Sequence, residues 1–123
     1  MASQSRKHRG YLTQRLVAEW FATRGWPFAE SAGAGRPGVD VTGMPGLACE
    51  VKARRAFNLT GFLKQATGER RHGVPFVIVR PDGYGPARIG EWAMILTLED
   101  GTKLLNQAGF GSPLDSDSEV VNT

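Results

Sequence analysis

The chain has a single cysteine, Cys49, and two histidines, His8 and His72, far apart in sequence. One cysteine excludes an intramolecular disulfide and makes a reducing cytoplasm the expected setting. Two isolated histidines give no spacing suited to zinc. No apolar run approaches the ~18 residues needed to cross a bilayer. The basic N-terminus leads into no apolar signal core, so export is not expected. Gly33-x-Gly35 lacks the further glycines of a dinucleotide fingerprint, and no small-molecule cofactor is expected. There is no internal repeat and no long linker. At 123 residues the chain has material for one domain with a modest core.

Charge is present, and it is uneven. The net value is +3, but the segment after Phe110 contains Asp115, Asp117 and Glu119 and no Lys or Arg. Without it, 15 basic face 9 acidic side chains, so residues 1–110 carry +6. A body of that charge attracts polyanions, which is a hint of nucleic acid and no more. Residues 1–110 are taken as one domain, with 1–8 as a flexible basic arm. The polar, Ser- and Asp-rich 111–123 are expected to be a disordered acidic tail.

Periodicity sets the elements. Leu12, Leu16 and Trp20, with Val17 and Phe21 as a second row, predict a helix over residues 9–24, stopped by Gly25 and Pro27. A strand is expected over 26–32, a loop at the glycines and prolines of 33–38, and a short strand over 39–42. Residues 47–53 form the clearest strand: Leu47, Cys49 and Val51 alternate with Ala48, Glu50 and Lys52. The turn at Gly43-Met44-Pro45-Gly46 suits an antiparallel hairpin. A helix over 59–70 capped by Asn58, strands at 74–80 and within 92–98, and a helix around 100–108 complete the order α-β-β-β-α-β-β-α. The fold class is α/β, a mixed sheet flanked by helices.

Chemistry gathers at Asp40 and, after nine intervening residues, Glu50-Val51-Lys52. Residues two apart on a strand share a face, so Glu50 and Lys52 project together while Cys49, a buried structural thiol on this reading, turns to the core. A hairpin carrying Asp40 brings a second carboxylate beside Glu50. Two such groups repel unless a cation lies between them, and hard oxygen donors with room for water suit Mg²⁺, with Mn²⁺ as its substitute. Lys52 offers a positive charge for a transition state at phosphorus. The alternative is plain surface decoration. Against it stand the Gly- and Pro-rich loop delivering Asp40, the otherwise apolar strand, and the basic run Lys52-Ala53-Arg54-Arg55 that follows.

Gly38-Val39-Asp40 with Glu50-Val51-Lys52 resembles the PD-(D/E)xK nuclease signature, with Val39 in place of its proline. The segment from Gly25 to Gly33, ending Ser31-Ala32-Gly33, resembles that of archaeal-type Holliday junction resolvases. The likeness runs from about Lys7 to Val79. It implies a restriction-endonuclease-like core in which Asp40, Glu50 and the Val51 carbonyl bind metal, Lys52 is the catalytic lysine and Ser31 lies beside the site. It also implies a homodimer that cuts a four-way junction symmetrically and leaves 5′-phosphates. The family's acidic residue on the first helix falls on Gln14, a departure that implies weaker metal affinity. Glu19 lies ~140° around the helix from Gln14 and is a poor substitute. Gln65, 13 residues past Lys52, occupies a position where nucleases of this kind carry a site-facing glutamine. Under the DNA reading, Arg6, Lys7 and Arg9 on the arm, with Arg36, Arg54, Arg55, Lys64, Arg70 and Arg71, are phosphate contacts. Trp20, Trp26 and Trp92 are expected in the core or a dimer interface.

The expected activity is therefore a Mg²⁺-dependent, structure-selective endonuclease acting on branched DNA. Two rivals stand beside it: a flap, nicking or restriction-type nuclease on the same scaffold, and a DNA-binding module that has lost cleavage. A structural protein with a decorative Asp/Glu/Lys cluster is the third.

Overall fold

The computed structural model describes residues 2–33, 38–53 and 58–112, with side chains from residue 10 onward. The order is α1 (Ala2–Ala22), β1 (Glu30–Ser31), β2 (Val41–Thr42), β3 (Leu47–Lys52), α2 (Leu59–Glu69), β4 (Val74–Val79), β5 (Ala93–Ile95) and α3 (Leu98–Gln107). Two 3-10 turns, Arg70–His72 and Pro86–Glu91, precede β4 and β5. The strands form one five-stranded sheet in the order β1-β2-β3-β4-β5. All pairs are antiparallel except β3 and β4, which run parallel through the α2 crossover. This is a mixed α/β architecture, consistent with a restriction-endonuclease-like core, and the element order matches expectation.

Helix α1 begins earlier than its apolar pattern. Residues 2–8 continue the helix rather than forming a separate arm, because an established helix adds each residue through one backbone hydrogen bond and Ala, Gln, Lys and Arg accept helical geometry readily. Its inward row also differs. Thr13, Val17 and Phe21 are buried with Ala18, whereas Leu12 is exposed. Thr13 is tolerated inside because its Oγ1 accepts from Arg80 Nη1 at 3.1 Å.

The strand expected over 26–32 shrinks to its last part. Trp26 N–H returns to the Phe21 carbonyl at 3.1 Å and Ala29 N–H to the Trp26 carbonyl at 2.9 Å, so the backbone around Pro27 turns instead of pairing. The second strand loses residues 39 and 40 to the loop for its own reason: Asp40 pairs singly with Cys49 across a bend. Gly43 is required where it stands, at φ 79° with the Phe28 carbonyl oxygen 1.9 Å from where a Cβ would sit.

The sheet has two unlike faces. Under α1, Val17, Phe21, Val41, Cys49, Val51, Phe76, Ile78 and Trp92 form a continuous core, with Trp20 and Trp26 packed against it. Phe21 meets Trp26 and Phe76 edge to face, with ring centroids at 5.4 and 6.1 Å. Under α2 the apolar cluster is small: Phe62, Ala66 and Val77, flanked by Val79 and Ile95. Asn58 caps α2, its Oδ1 accepting from Gly61 N–H at 2.9 Å. Helix α3 is tied back by Asp100, whose carboxylate takes both terminal nitrogens of Arg70, at 3.2 and 2.8 Å.

Candidate active site

The alternation of β3 decides which groups meet. Cys49 and Val51 are in the α1-side core, and the Cys49 thiol is pushed up by burial and by the Asp40 and Glu50 charges, as befits a structural rather than reactive cysteine. Glu50 and Lys52 therefore face the α2 side, paired across to Val77 and Val79 of β4. Lys52 ends the strand, and its carbonyl accepts from Arg80 N–H at 2.9 Å.

Asp40 is brought to them by backbone. Its N–H donates to the Cys49 carbonyl at 2.9 Å, and its carbonyl accepts from Ala32 N–H at 2.8 Å. Its side chain then reaches along β3, where Oδ2 accepts from Val51 N–H at 2.8 Å. The carboxylate is thus anchored at the Glu50–Val51 peptide. A loop residue is held as firmly as a strand residue.

Glu50 is 3% exposed and its Oε1 is buried without a hydrogen-bond partner. Burial pushes its pKa from 4.5 up to about 8, and the Asp40 charge and hydrogen bond add to this, opposed by Lys52. A carboxyl in this position holds a proton near neutrality or shares a cation with Asp40. The donor set fits a hard divalent ion. It offers two carboxylates, one of them with an unsatisfied buried oxygen, and the backbone of Val51 between them. Among the described residues no three His, Cys, Asp or Glu side chains cluster closely enough to ligate one ion.

The remaining expected residues divide. Ser31 and Gln14 meet each other, Ser31 Oγ donating to Gln14 Oε1 at 3.4 Å and accepting from Gly33 N–H at 3.3 Å. Ser31 pairs with Val41, whose side chain is in the core beneath α1, so this contact lies on the α1 side while Ala32, next to it, touches Asp40. Gln65 and Lys64 are exposed on α2. Arg70 is engaged by Asp100, and Arg71 Nε donates to His72 Nε2 at 3.2 Å, both on the exposed surface. Arg36, Arg54 and Arg55 lie outside the described residues, as do the side chains of Arg6, Lys7 and Arg9 on α1.

One residue went unnoticed in the sequence. Glu69 lies close enough to Glu50 for its charge to raise that group further. The signal was available, because Phe62, Ala66 and Glu69 stand at i, i+4 and i+7 on one helical face.

No family model, curated protein or solved structure matches the chain. Among the described residues no helix is long and apolar enough to cross a membrane.

Proposed function

We propose that the chain is a Mg²⁺-dependent DNA endonuclease, best read as a structure-selective enzyme of the Holliday junction resolvase kind acting as a homodimer. The observation that carries the reading is the Asp40–Glu50 pair, two adjacent carboxylates with a buried, unpartnered Glu50 oxygen and Lys52 on the same face. The +6 charge of residues 1–110 suits a phosphodiester substrate.

Asp40 and Glu50, with the Val51 carbonyl, would hold the ion. Mg²⁺, or Mn²⁺ in its place, supplies Lewis acidity at the phosphate and lowers the pKa of water. Lys52 offsets negative charge as it builds on the phosphoryl oxygens. Hydrolysis forms one P–O bond from water and breaks the bond to the 3′ oxygen, which takes up a proton, leaving a 5′-phosphate. Two copies related by a two-fold axis supply the two cuts a four-way junction requires.

A second reading, a DNA-binding module without cleavage, is favoured by the lack, among the described residues, of a third carboxylate in ligating reach. One experiment separates them: cleavage of an end-labelled four-way junction beside matched duplex, flap and single strand, in Mg²⁺ or EDTA, with wild type and Asp40→Asn. Paired symmetric cuts in the junction, lost in EDTA and in Asp40→Asn, support a resolvase. Cleavage of duplex or flap keeps the site and changes the substrate. Metal-independent junction binding without cleavage supports the module.

A further inference from the structure

The face of α2 that covers the sheet is only partly apolar. Phe62 and Ala66 are buried against Val77, and Val77 is the register partner of Glu50. The same helical stripe carries Glu69 onto the sheet face that holds Glu50. Its side chain is 15% exposed, and its Oε2 is buried with no hydrogen-bond partner, as is Oε1 of Glu50. His72 Nε2 lies 3.8 Å from that oxygen, beyond hydrogen-bond distance, and accepts from Arg71 Nε at 3.2 Å. Two carboxylates on facing layers, each with an oxygen removed from water and left without a hydrogen bond, carry a desolvation cost that hydrogen bonding does not offset. A cation between the layers would offset it.

We propose that Glu69 is a positioning residue for the divalent cation held by Asp40 and Glu50, supplying a third negative charge from α2. The inference rests on the reading of Asp40 and Glu50 as cation ligands. Because the three carboxylates do not close into one ligating cluster, Glu69 acts by its charge and through ordered solvent rather than by direct ligation. Residues in that outer position typically change metal affinity by about 10–100-fold when replaced.

The test is titration of the full chain with Mg²⁺ by calorimetry and with Mn²⁺ by electron paramagnetic resonance, without DNA. Wild type is compared with Glu69→Gln, Glu69→Asp and Glu19→Gln, the last an exposed carboxylate on α1 that controls for net charge. Glu69→Gln is expected to weaken both ions by about tenfold, at the lower end of that range, Glu69→Asp to recover most of the loss, and Glu19→Gln to change little. Metal-free Glu69→Gln should be at least as stable as wild type, since a buried carboxylate oxygen without a hydrogen bond is gone. A residue important only for packing would not give gain of stability and loss of affinity together. If Glu69→Gln does not fold, Glu69→Ala takes its place. Wild-type binding that the Glu69 variants leave unchanged overturns the inference alone. Failure of the wild type to take up either ion overturns the reading of Asp40 and Glu50, and the inference with it.

Discussion

The two faces of the sheet are built from the same strands to opposite ends. Beneath α1, side chains from β2, β3, β4 and α1 close into one apolar core that reaches Trp92. Beneath α2, Phe62, Ala66 and Val77 make a small cluster, and the positions beside it hold Glu50 and Glu69. The first face follows the rule that buried groups are apolar or matched at every core side chain but Trp92, whose indole N–H has no hydrogen-bond partner among the described residues. The second breaks it with unmatched carboxylate oxygens. A neutral indole N–H left unmatched costs less than an unmatched carboxylate, so the face that collects unmatched acids is where this fold gives up more stability for function. The difference is set by a single-residue alternation in Leu47–Lys52, so both faces depend on one register.

Substitutions on the two faces should therefore separate activity from stability. Asp40→Asn on the carboxylate side is expected to lower cleavage by about a thousandfold or more, since a metal-holding carboxylate contributes several kcal/mol to the transition state. Circular dichroism should show the fold intact. Phe21→Ala on the apolar side should do the reverse, costing about 3–5 kcal/mol in urea unfolding while the folded fraction still cleaves. Loss of activity per folded molecule in Phe21→Ala would collapse the distinction between the faces.

Titration sharpens it further. Glu50 in the metal-free protein is raised from 4.5 to about 8, so between those values the native state holds a proton that the unfolded chain has lost. Its contribution to stability is present below pH 4.5 and disappears as pH rises through about 8. Unfolding in EDTA should show wild type weakening over that window and Glu50→Gln flat across it, with Glu50→Gln the more stable at the alkaline end. The same variant should be inactive. Parallel pH profiles for the two proteins would mean that Glu50 is not held away from water as described.

How far all this was legible in sequence depends on the length scale of the signal. The division of β3 into a core face and a chemical face was readable because strand period is local and Leu47, Cys49 and Val51 are all apolar. The junction of Asp40 with Glu50 was readable as a hairpin, but its anchoring on Val51 N–H was not, because that bond is set by the bend after Gly38. The inward row of α1 was misjudged at Leu12 because Thr13, a polar residue, occupies the buried position, where its hydroxyl accepts from Arg80, 67 residues away. The strand at 26–32 was overestimated because Trp26 serves the core as a turn residue. Glu69 was missed because a carboxylate on a helix is ordinarily solvated, and only the seating of α2 on β4 removes it from water.

The smallest effect belongs to a third carboxylate, and it isolates what is unusual about the other two. Asp100 is buried like Glu50, yet its oxygens are both matched by Arg70, at 3.2 and 2.8 Å, and the bond from Arg70 is the main reason its pKa is lowered rather than raised. The linkage sign reverses accordingly. Its contribution is present above the ordinary carboxylate range and is lost as pH falls through the lowered native value. Asp100→Asn should cost about 1 kcal/mol near neutrality, modest because Arg70 stays largely in water. The difference from wild type should vanish in acid, where the wild-type carboxylate is protonated too. Metal affinity and cleavage should not change, since Asp100 answers to Arg70 and not to Glu50. An Asp100→Asn protein that lost metal binding would show that the α2 face responds as one electrostatic unit, and that burial rather than the absence of a partner governs its carboxylates.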